Sequence, residues 1–381
     1  MHGMENPFVF GEIVEQRHFV DREKELQNLV RDLSDGQKLF LLSPRRFGKS
    51  SLVSLALLKL EKRHVRTVNI TVSSYANYDQ FLEKFAERVL RSAGSWDRVK
   101  NLIGRFLQRV RPVIGINPAS GETSISFSRS GDSDPSVLAA DVFAMPGEMV
   151  KNGGFRMAIC MDEFQQIRLF GGQAVESVLR NEVQKQRDVG YVFSGSQPSL
   201  MEDMLSAGRP FHKAGPAIFL EKIPAEAWAD FIKTQFKNRR RTVTDDALSQ
   251  ILRAADLIPY DVQRIAHELW DYAELKNQSE LDADDVDSVT DELVRGQREY
   301  FERLWEQLTS RQRAVLQALS QRGPSDLLSQ AGREHYRLGA ASTVQKALQS
   351  LDSQDILGRY HGEYFFVDPL FANWVRRSIE S

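Results

Sequence analysis

The chain has 381 residues, of which 41% are hydrophobic and 27% are charged, and its formal net charge is -2. This length exceeds what one compact core usually holds, and the near-neutral charge excludes a global attraction to nucleic acid or anionic membranes. The single cysteine, Cys160, excludes an intramolecular disulfide, and no histidine spacing is typical of a zinc or iron site. With no membrane-length apolar run and no signal-peptide pattern, we expect a soluble cytoplasmic protein of two or three domains.

Residues 1–222 alternate short β-rich runs with longer amphipathic patterns, which predicts an α/β domain with helices on both faces of a parallel sheet. The predicted strands are 38–43, 66–73, 156–162, 191–196 and 217–221, and the predicted helices are 21–34, 49–62, 77–92 and 174–187. Within this domain, the alternating runs VIGI and TSISFS flank the turn-forming NPASGE. They predict a β-hairpin insertion over residues 112–130.

Helical patterns replace the strands after Pro224, so residues 223–300 are predicted to form a helical lid. Its acidic segment LDADDVDSVTDEL could be taken for a metal cage, but carboxylates in the first turns of a helix are better explained by capping and the helix dipole. Residues 301–381 contain three helical patterns, one of them over 325–330, and then the hairpin pattern ILGRYHGEYFFV. Three helices and a β-wing predict a winged-helix domain.

A strand pattern runs directly into a glycine-containing loop and an apolar helix in LFLLSPRRFGKSSLV. Phosphate-binding loops have this arrangement, because backbone N–H groups and a helix N-terminus can surround a phosphate where Gly48 leaves room. We expect Lys49 to reach the β- and γ-phosphates and Ser50 to bind Mg²⁺, while Ser51 is one position late and better suited to packing or capping. The predicted nucleotide-binding segment is Ser43, Pro44, Arg45, Arg46, Phe47, Gly48, Lys49, Ser50 and Ser51.

The first glycine of this loop motif is replaced by Ser43. If the position requires a positive φ, a serine there costs roughly 1 kcal/mol, so we expect a slightly reshaped loop.

A second strand pattern, RMAICMD, ends in Asp162 and is followed by Glu163. The C-terminal ends of buried parallel strands face the crevice where ligands bind, so Asp162 is a candidate for the Mg²⁺ shell and Glu163 for orienting the attacking water. A helix cap after a core strand is the structural alternative. The next strand ends in the Ser194–Ser196 segment, where Ser196 is a candidate for contacting the γ-phosphate or its water. A tight-turn glycine between incidental serines is the alternative there.

These motifs resemble those of the archaeal-type P-loop ATPases of the AAA+/STAND grouping, the family called ATPase domain 2. The matching segments are FVDREKEL, SPRRFGKSSL, DEFQ, FSGSQPSLM, IPYDVQ and YFFVDPLFANW. The resemblance implies a P-loop NTPase sheet of order 5-1-4-3-2 with a lid and a winged helix, and it implies ATP rather than GTP. It also implies that Phe19 and Val20 lie beside the adenine and that Pro259 approaches the base. Two positions differ from the family pattern, since Leu257 replaces a glycine and Lys213 replaces an arginine.

Arg180, Arg187 and Lys213 are candidates for an arginine finger, with surface ion pairing as the alternative for each of the two arginines. The first functional hypothesis is an ATP-driven switch in which the winged helix reports the nucleotide state. The second is a slowly hydrolysing, nucleotide-loaded module that binds DNA or regulates a partner. A role as the ATPase of a larger DNA-processing or defence system, contact with a protein partner and oligomerisation all stay open.

Overall fold

The computed structural model describes residues 6–14, 16–92, 111–116, 123–128, 135–322 and 327–380. The chain folds into two compact units. We call Arg22–Ser43 and Lys49–Leu220 the sheet unit, and Met1–Asp21, Pro44–Gly48 and Glu221–Ser381 the helical unit. The division into three domains that the sequence indicates stays a prediction.

The sheet unit is built on a five-stranded parallel sheet of order β2-β5-β6-β1-β7. The strands in chain order are β1 Lys38–Leu42, β2 Arg66–Thr71, β3 Arg111–Ile116, β4 Thr123–Ser128, β5 Met157–Asp162, β6 Val189–Gly195 and β7 Ala217–Phe219. The helices are α1 Glu23–Ser34, α2 Lys49–Glu61, α3 Tyr78–Ser92, α4 Pro135–Gly153, α5 Gln173–Lys185 and α6 Pro198–Leu205, with a 3₁₀ helix over Phe164–Phe170. Counted along the chain and read from the other edge, the five strands have the order 5-1-4-3-2, which confirms the predicted α/β fold class.

The central strands of this sheet are mostly apolar and buried, because helices cover both faces of a parallel sheet. All seven residues of β6 are buried, and so are four of the five residues of β1. The rings of Phe40 and Phe193 stack across these two strands with centroids 5.1 Å apart. Cys160 is buried within β5, where burial raises the pKa of its thiol, in agreement with the buried thiol that the sequence predicts.

Strands β3 and β4 form a separate antiparallel pair, in which Ile114 lies opposite Ile125. They occur where the sequence predicts the hairpin insertion. Residues 117–122 and 129–130 of that predicted segment lie outside the described residues.

The first part of the helical unit is a set of helices packed around a core that includes Trp228, Phe236 and Phe8 from the N-terminal segment. Its elements are α7 Ala225–Lys237, β8 Thr242–Val243, α8 Asp245–Ala254, α9 Pro259–Lys276, β9 Glu280–Leu281 and α10 Ala283–Gly296. The acidic segment at the start of α10 forms a capping box, in which Asp282 and Asp285 each accept a hydrogen bond from the other's backbone N–H. The capping interpretation of these carboxylates is therefore confirmed.

The second part of the helical unit is a winged helix. Its elements are α11 Arg298–Gln307, α12 Ser310–Arg322, α13 Gln330–His335, α14 Ala341–Ser353, β10 Leu357–Tyr360, β11 Glu363–Phe366 and α15 Pro369–Glu380. Val344, Leu348 and Leu351 on α14 are buried in the core of this domain. Residues 325 and 326 of the helix predicted over 325–330 lie outside the described residues, and the described helix α13 begins only at Gln330, because the Ser329 hydroxyl accepts a hydrogen bond from the Gly332 N–H and caps the helix there.

Among the described residues, no helix has both the length and the apolar composition that crossing a bilayer requires. The same part of the chain contains no group of three or more His, Cys, Asp or Glu side chains that could hold a metal ion.

Candidate functional site

The segment between β1 and α2 has the backbone geometry of an anion-binding loop. Arg46 and Gly48 have positive φ values of 70° and 84°, whereas the loop residues between and beside them do not. Such changes of backbone hand turn N–H groups toward one point, and α2 begins at Lys49, so the N–H groups of its first turn, which have no acceptor within the helix, follow at once. Ser43 does not have a positive φ, so the strain considered for a serine in place of the glycine does not arise.

The structure brings together two of the side chains that the sequence singles out in the sheet unit. The Lys49 ammonium donates a hydrogen bond of 2.5 Å to Oδ1 of Asp162. Oδ1 also accepts hydrogen bonds from the Ser194 hydroxyl and, at 3.0 Å, from the Glu163 backbone N–H. Because β6 lies between β1 and β5, the C-terminal ends of three neighbouring strands supply this cluster.

The electrostatics of this cluster keep Asp162 ionised. Burial disfavours its carboxylate, but the nearby Lys49 ammonium and hydrogen bonds from Lys49, Ser194 and Glu163 outweigh burial and hold its pKa below the ordinary value. A lowered folded-state pKa means that the pair contributes stability above the ordinary aspartate pKa of about 3.9 and loses it as the pH falls through the lower folded value. At neutral pH Asp162 therefore presents carboxylate oxygens, which suit a divalent cation.

Glu163 is held by two side chains at the entrance to the 3₁₀ helix. Its Oε2 accepts hydrogen bonds from the Ser196 hydroxyl at 2.7 Å and from the Gln165 side-chain amide at 2.6 Å. The Glu163 backbone is left-handed, with φ 52° and ψ 41°. For a residue with a Cβ, such a conformation is costly and is found most often at functional sites.

Sequence reasoning missed Gln165, although its motif DEFQ contains it. The missing signal is geometric: after the left-handed turn at Glu163, the 3₁₀ helix brings the buried Gln165 side chain back to the Glu163 carboxylate. Gly195 makes room for this packing, because a Cβ there would lie 2.7 Å from Oε1 of Gln165 and 2.5 Å from Cγ of Met201. The glycine between Ser194 and Ser196 is thus required by a close approach.

The two serines after Lys49 differ in exposure. Ser50 is exposed near the start of α2, whereas Ser51 is buried within the helix. This difference favours Ser50 as the metal-binding hydroxyl and agrees with packing as the role of Ser51. The predicted contacts of Ser50 with Mg²⁺ and of both serines with the nucleotide stay predictions.

Residues Pro44–Gly48 of the same loop belong to the helical unit and make their described contacts there. Arg45 forms an ion pair with Asp355 at 2.7 Å, and Phe47 is fully buried. The Tyr260 N–H at the start of α9 donates to the Arg46 carbonyl at 3.3 Å.

The residues implied to lie near the adenine also belong to the helical unit. Val20 is buried in the core formed by helices α7–α10, Phe19 is half-buried, and Pro259 is the buried first residue of α9. Leu257 has a φ of 55°, which explains why a glycine is the usual residue at this position. The adenine contacts of Phe19, Val20 and Pro259 stay predictions.

The three candidates for an arginine finger lie on the sheet unit. Lys213 is exposed and has a φ of 54°, and Arg187 is exposed in the turn before β6. Burial lowers the pKa of the Lys38 ammonium, and Arg180 on α5 lies near enough to add to this effect. Lys38 is the first residue of β1, so Arg180 lies near the N-terminal ends of the strands, whereas Asp162 lies at the C-terminal end of β5.

We expect Ser196→Ala to lower ATP turnover by roughly three- to tenfold, because one of the two hydrogen bonds that orient the Glu163 carboxylate is lost. ATP affinity should change by less than about twofold, and Ser196→Thr, which keeps the hydroxyl, should recover turnover. Ser177→Ala on α5 is the matched control, because its exposed hydroxyl bonds only the Gln173 carbonyl in its own helix. Single-turnover kinetics and ATP titrations provide the measurements. A parallel loss of affinity and turnover would show that Ser196 does not act through Glu163.

Comparisons with known proteins agree with this architecture. The family described as a probable winged helix domain matches residues 299–377. A Walker-type ATPase of Pyrococcus abyssi superposes with a TM-score of 0.65 at 15% identity, covering 97% of this chain and 99% of that chain. The ORC2 protein of Aeropyrum pernix, in complexes with ADPNP and ADP, gives a TM-score of 0.54 at 10% identity and covers 98% and 100% of the two chains. The ORC1 protein of the same organism, in complex with DNA, gives 0.50 at 15% identity, with coverage of 94% and 93%.

A search of the curated proteins finds no match to this chain. At these identities the structural likenesses show the fold alone. The chain therefore has the fold of P-loop ATPases that carry a C-terminal winged helix.

Proposed function

We propose that this chain binds ATP with Mg²⁺, hydrolyses it slowly or on stimulation by a partner, and acts as an AAA+/STAND-like molecular switch. The observation that carries the proposal is the Lys49–Asp162 ion pair of 2.5 Å, with Glu163 following Asp162 in the chain. These three neighbouring residues would supply the cation that binds phosphate (Lys49), the carboxylate that binds the metal (Asp162) and the carboxylate that orients water (Glu163). Phosphoryl transfer depends on this kind of positioning and charge stabilisation rather than on covalent participation by the protein.

The residues present fit a magnesium nucleotide. Mg²⁺ prefers oxygen ligands and is usually held by one or two protein groups together with phosphate oxygens and water. The ionised Asp162 and the exposed Ser50 hydroxyl are such groups: Asp162 is the last residue of β5, and Ser50 lies in the first turn of the helix that follows β1. When bound, Mg²⁺ would neutralise part of the phosphate charge.

The chain's own residues then have distinct roles. On ATP binding, the Lys49 ammonium would move its hydrogen bonds from Asp162 to the β- and γ-phosphates, since a lysine side chain is flexible and its N–H donors rotate. Glu163 would orient the attacking water, while Ser196 and Gln165 keep its carboxylate in place. This division of roles predicts that binding and turnover can be separated by mutation.

Support for the switch comes from the contents of the helical unit. The lid helices, the winged helix and residues 44–48 of the phosphate loop fall in one compact unit. A change in the conformation of residues 44–48 on nucleotide binding would therefore alter their direct contacts with the lid helices and the winged helix. Among the structural neighbours, the ORC2 protein of Aeropyrum pernix was captured with ADPNP and ADP.

The proposal is tested by measuring nucleotide binding and phosphate release with the full chain. We expect ATP to bind more tightly than GTP and to be hydrolysed slowly, with turnover lost when EDTA removes Mg²⁺. Hydrolysis that survives EDTA would contradict the magnesium role. Absence of both ATP binding and turnover would refute the proposed function.

A second candidate function, DNA binding by the winged helix, rests on a cluster of arginines. Arg311, Arg333 and Arg337 line one open hollow of this domain, and the neighbouring ORC1 structure contains DNA. Against it, α14 carries Lys346 as its one cation, although the binding of duplex DNA is dominated by contacts of Lys and Arg with phosphate. The wing residue His361 lies 2.9 Å from a Glu221 carboxylate oxygen, so part of the wing faces another segment of the chain.

We expect the full chain to bind duplex DNA more weakly than micromolar at low salt, because Ser342, Gln345 and Gln349 are neutral on the helix that would enter the groove. Fluorescence anisotropy with labelled duplex, in ATP and in ADP, measures this. Micromolar or tighter binding with a steep salt slope and no nucleotide dependence would favour the DNA-binding module. In that case Arg333→Gln with Arg337→Gln should abolish it, and Lys346→Gln would test the groove helix separately.

A further inference from the structure

Arg46 directs its side chain into the lid and the winged helix. Its Nη1 lies 3.3 Å from an Asp368 carboxylate oxygen and 3.6 Å from an Asp261 carboxylate oxygen. The same atom donates to the Val367 carbonyl at 3.4 Å, and the guanidinium lies 4.8 Å from the centroid of the Tyr260 ring. All of these residues belong to the helical unit. A contact between Arg46 and phosphate would therefore involve its backbone in this arrangement.

Asp261 needs this arginine. Its side chain is fully buried, and neither carboxylate oxygen has a hydrogen-bond partner among the described residues. Burial raises its pKa to about 7, against the effects of Arg46 and Arg264, while Asp368 adds to the rise. A buried carboxylate without hydrogen bonds is costly, so the Arg46 guanidinium, with a smaller contribution from Arg264, compensates the charge of its ionised form.

Asp368 connects the same arginine to the last helix of the winged helix. Its Oδ1 accepts hydrogen bonds from the N–H groups of Leu370 at 2.9 Å and Phe371 at 3.3 Å, which caps the start of α15. Its other oxygen, Oδ2, faces Arg46. One carboxylate thus fixes both the start of α15 and the loop side chain.

The residues on either side of Arg46 also contact the winged helix. The fully buried ring of Phe47 lies 5.8 Å from the Tyr360 ring and 5.9 Å from the Phe365 ring, centroid to centroid. Arg45 pairs with Asp355, between α14 and β10. Three consecutive loop residues are therefore held by one domain.

The backbone conformation of Arg46 links these side-chain contacts to anion binding. With a φ of 70°, it adopts a left-handed conformation that is unfavourable for any residue with a Cβ. This conformation creates the change of backbone hand that makes a nest for an anion. Side-chain contacts that hold Arg46 in place therefore also hold the loop in its phosphate-binding shape.

We propose that the winged helix preforms the phosphate loop through Arg46, whose ion pairs with Asp261 and Asp368 keep the loop in its anion-binding conformation. Arg46 is then a positioning residue, and this inference rests on the proposed binding of ATP. Because coupling between two equilibria is reciprocal, ATP must stabilise the docked winged helix by the same factor by which the docked winged helix improves ATP affinity.

The test compares Arg46→Ala with Arg46→Gly. Alanine loses the ion pairs and keeps the strained backbone, so ATP affinity should fall roughly tenfold, whereas glycine adopts positive φ freely and should recover at least about threefold of that loss. Both variants should lose the ATP-dependent protection of amides 357–366 against hydrogen exchange. Asp368→Asn removes the charge while an asparagine still caps a helix, so it should reduce both affinity and protection.

The matched control is Asp291→Asn on α10, because Asp291 pairs with Arg377 of α15 at an exposed site in the same unit. It should leave ATP affinity and protection unchanged, and thermal unfolding without nucleotide should show that every variant is folded. ATP-dependent protection retained in Arg46→Ala would overturn the coupling, and equal ATP affinities of Arg46→Ala and Arg46→Gly would overturn the role of the backbone. If the unaltered chain binds no ATP, the proposed function fails together with this inference. If it binds ATP without protecting residues 357–366, the inference alone fails.

Discussion

Lys49→Ala is expected to weaken ATP binding by about a hundredfold or more. Lys49 supplies a buried, charge-assisted hydrogen bond that would pass from Asp162 to the β- and γ-phosphates. Arg46 cannot substitute for it, because the Arg46 guanidinium is paired with Asp261 and Asp368. Isothermal titration or fluorescence with ATP measures the loss.

The control for this change is Lys59→Ala in the last turn of the same helix, which removes an ammonium outside the described cluster. Loss of Lys49 also leaves the Asp162 carboxylate without its cation, so thermal unfolding without nucleotide must show that the variant is folded. An ATP affinity equal to that of the unaltered chain would refute the phosphate-loop assignment.

Glu163→Gln is expected to leave ATP binding intact while turnover falls by at least about tenfold. Glutamine has the same size, and its carbonyl oxygen can still accept hydrogen bonds from Ser196 and Gln165, so the local geometry should persist. What is lost is the negative charge that orients and polarises water. The variant should therefore hold unhydrolysed ATP, which chromatography of the bound nucleotide would reveal.

Glu182→Gln on α5 is a suitable control, because Glu182 makes an ion pair with Lys185 on the surface of the same helix. A similar loss of binding and turnover in Glu163→Gln would mean that Glu163 supports the metal or the fold. The role of Asp162 would then also need to be reassigned.

The parallel sheet and the cluster at the C-terminal ends of its strands could be predicted from the sequence, because both depend on local patterns. Apolar strand runs and amphipathic helices occur at their expected positions, and the motif residues Lys49 and Asp162 meet because parallel strands end at a common edge. The strand order came from the family resemblance, and the structure confirms it.

The features that sequence reasoning missed depend on tertiary contacts or on backbone hand. Gln165 reaches Glu163 only because the backbone turns left-handed after β5. The direction of the Arg46 side chain is decided by carboxylates far along the chain, and no pattern around the loop signals them. The start of α13 was misplaced because the Ser329 side chain caps the helix, which begins at Gln330.

The left-handed backbone of Glu163 has a consequence for protein engineering. Glycine adopts a left-handed backbone at no steric cost, so Glu163→Gly would relieve the backbone strain at this position. The same substitution would remove the carboxylate proposed to orient water. Thermostability and turnover are thus opposed at this residue. A selection for stability alone should therefore favour variants that still bind nucleotide but no longer hydrolyse it.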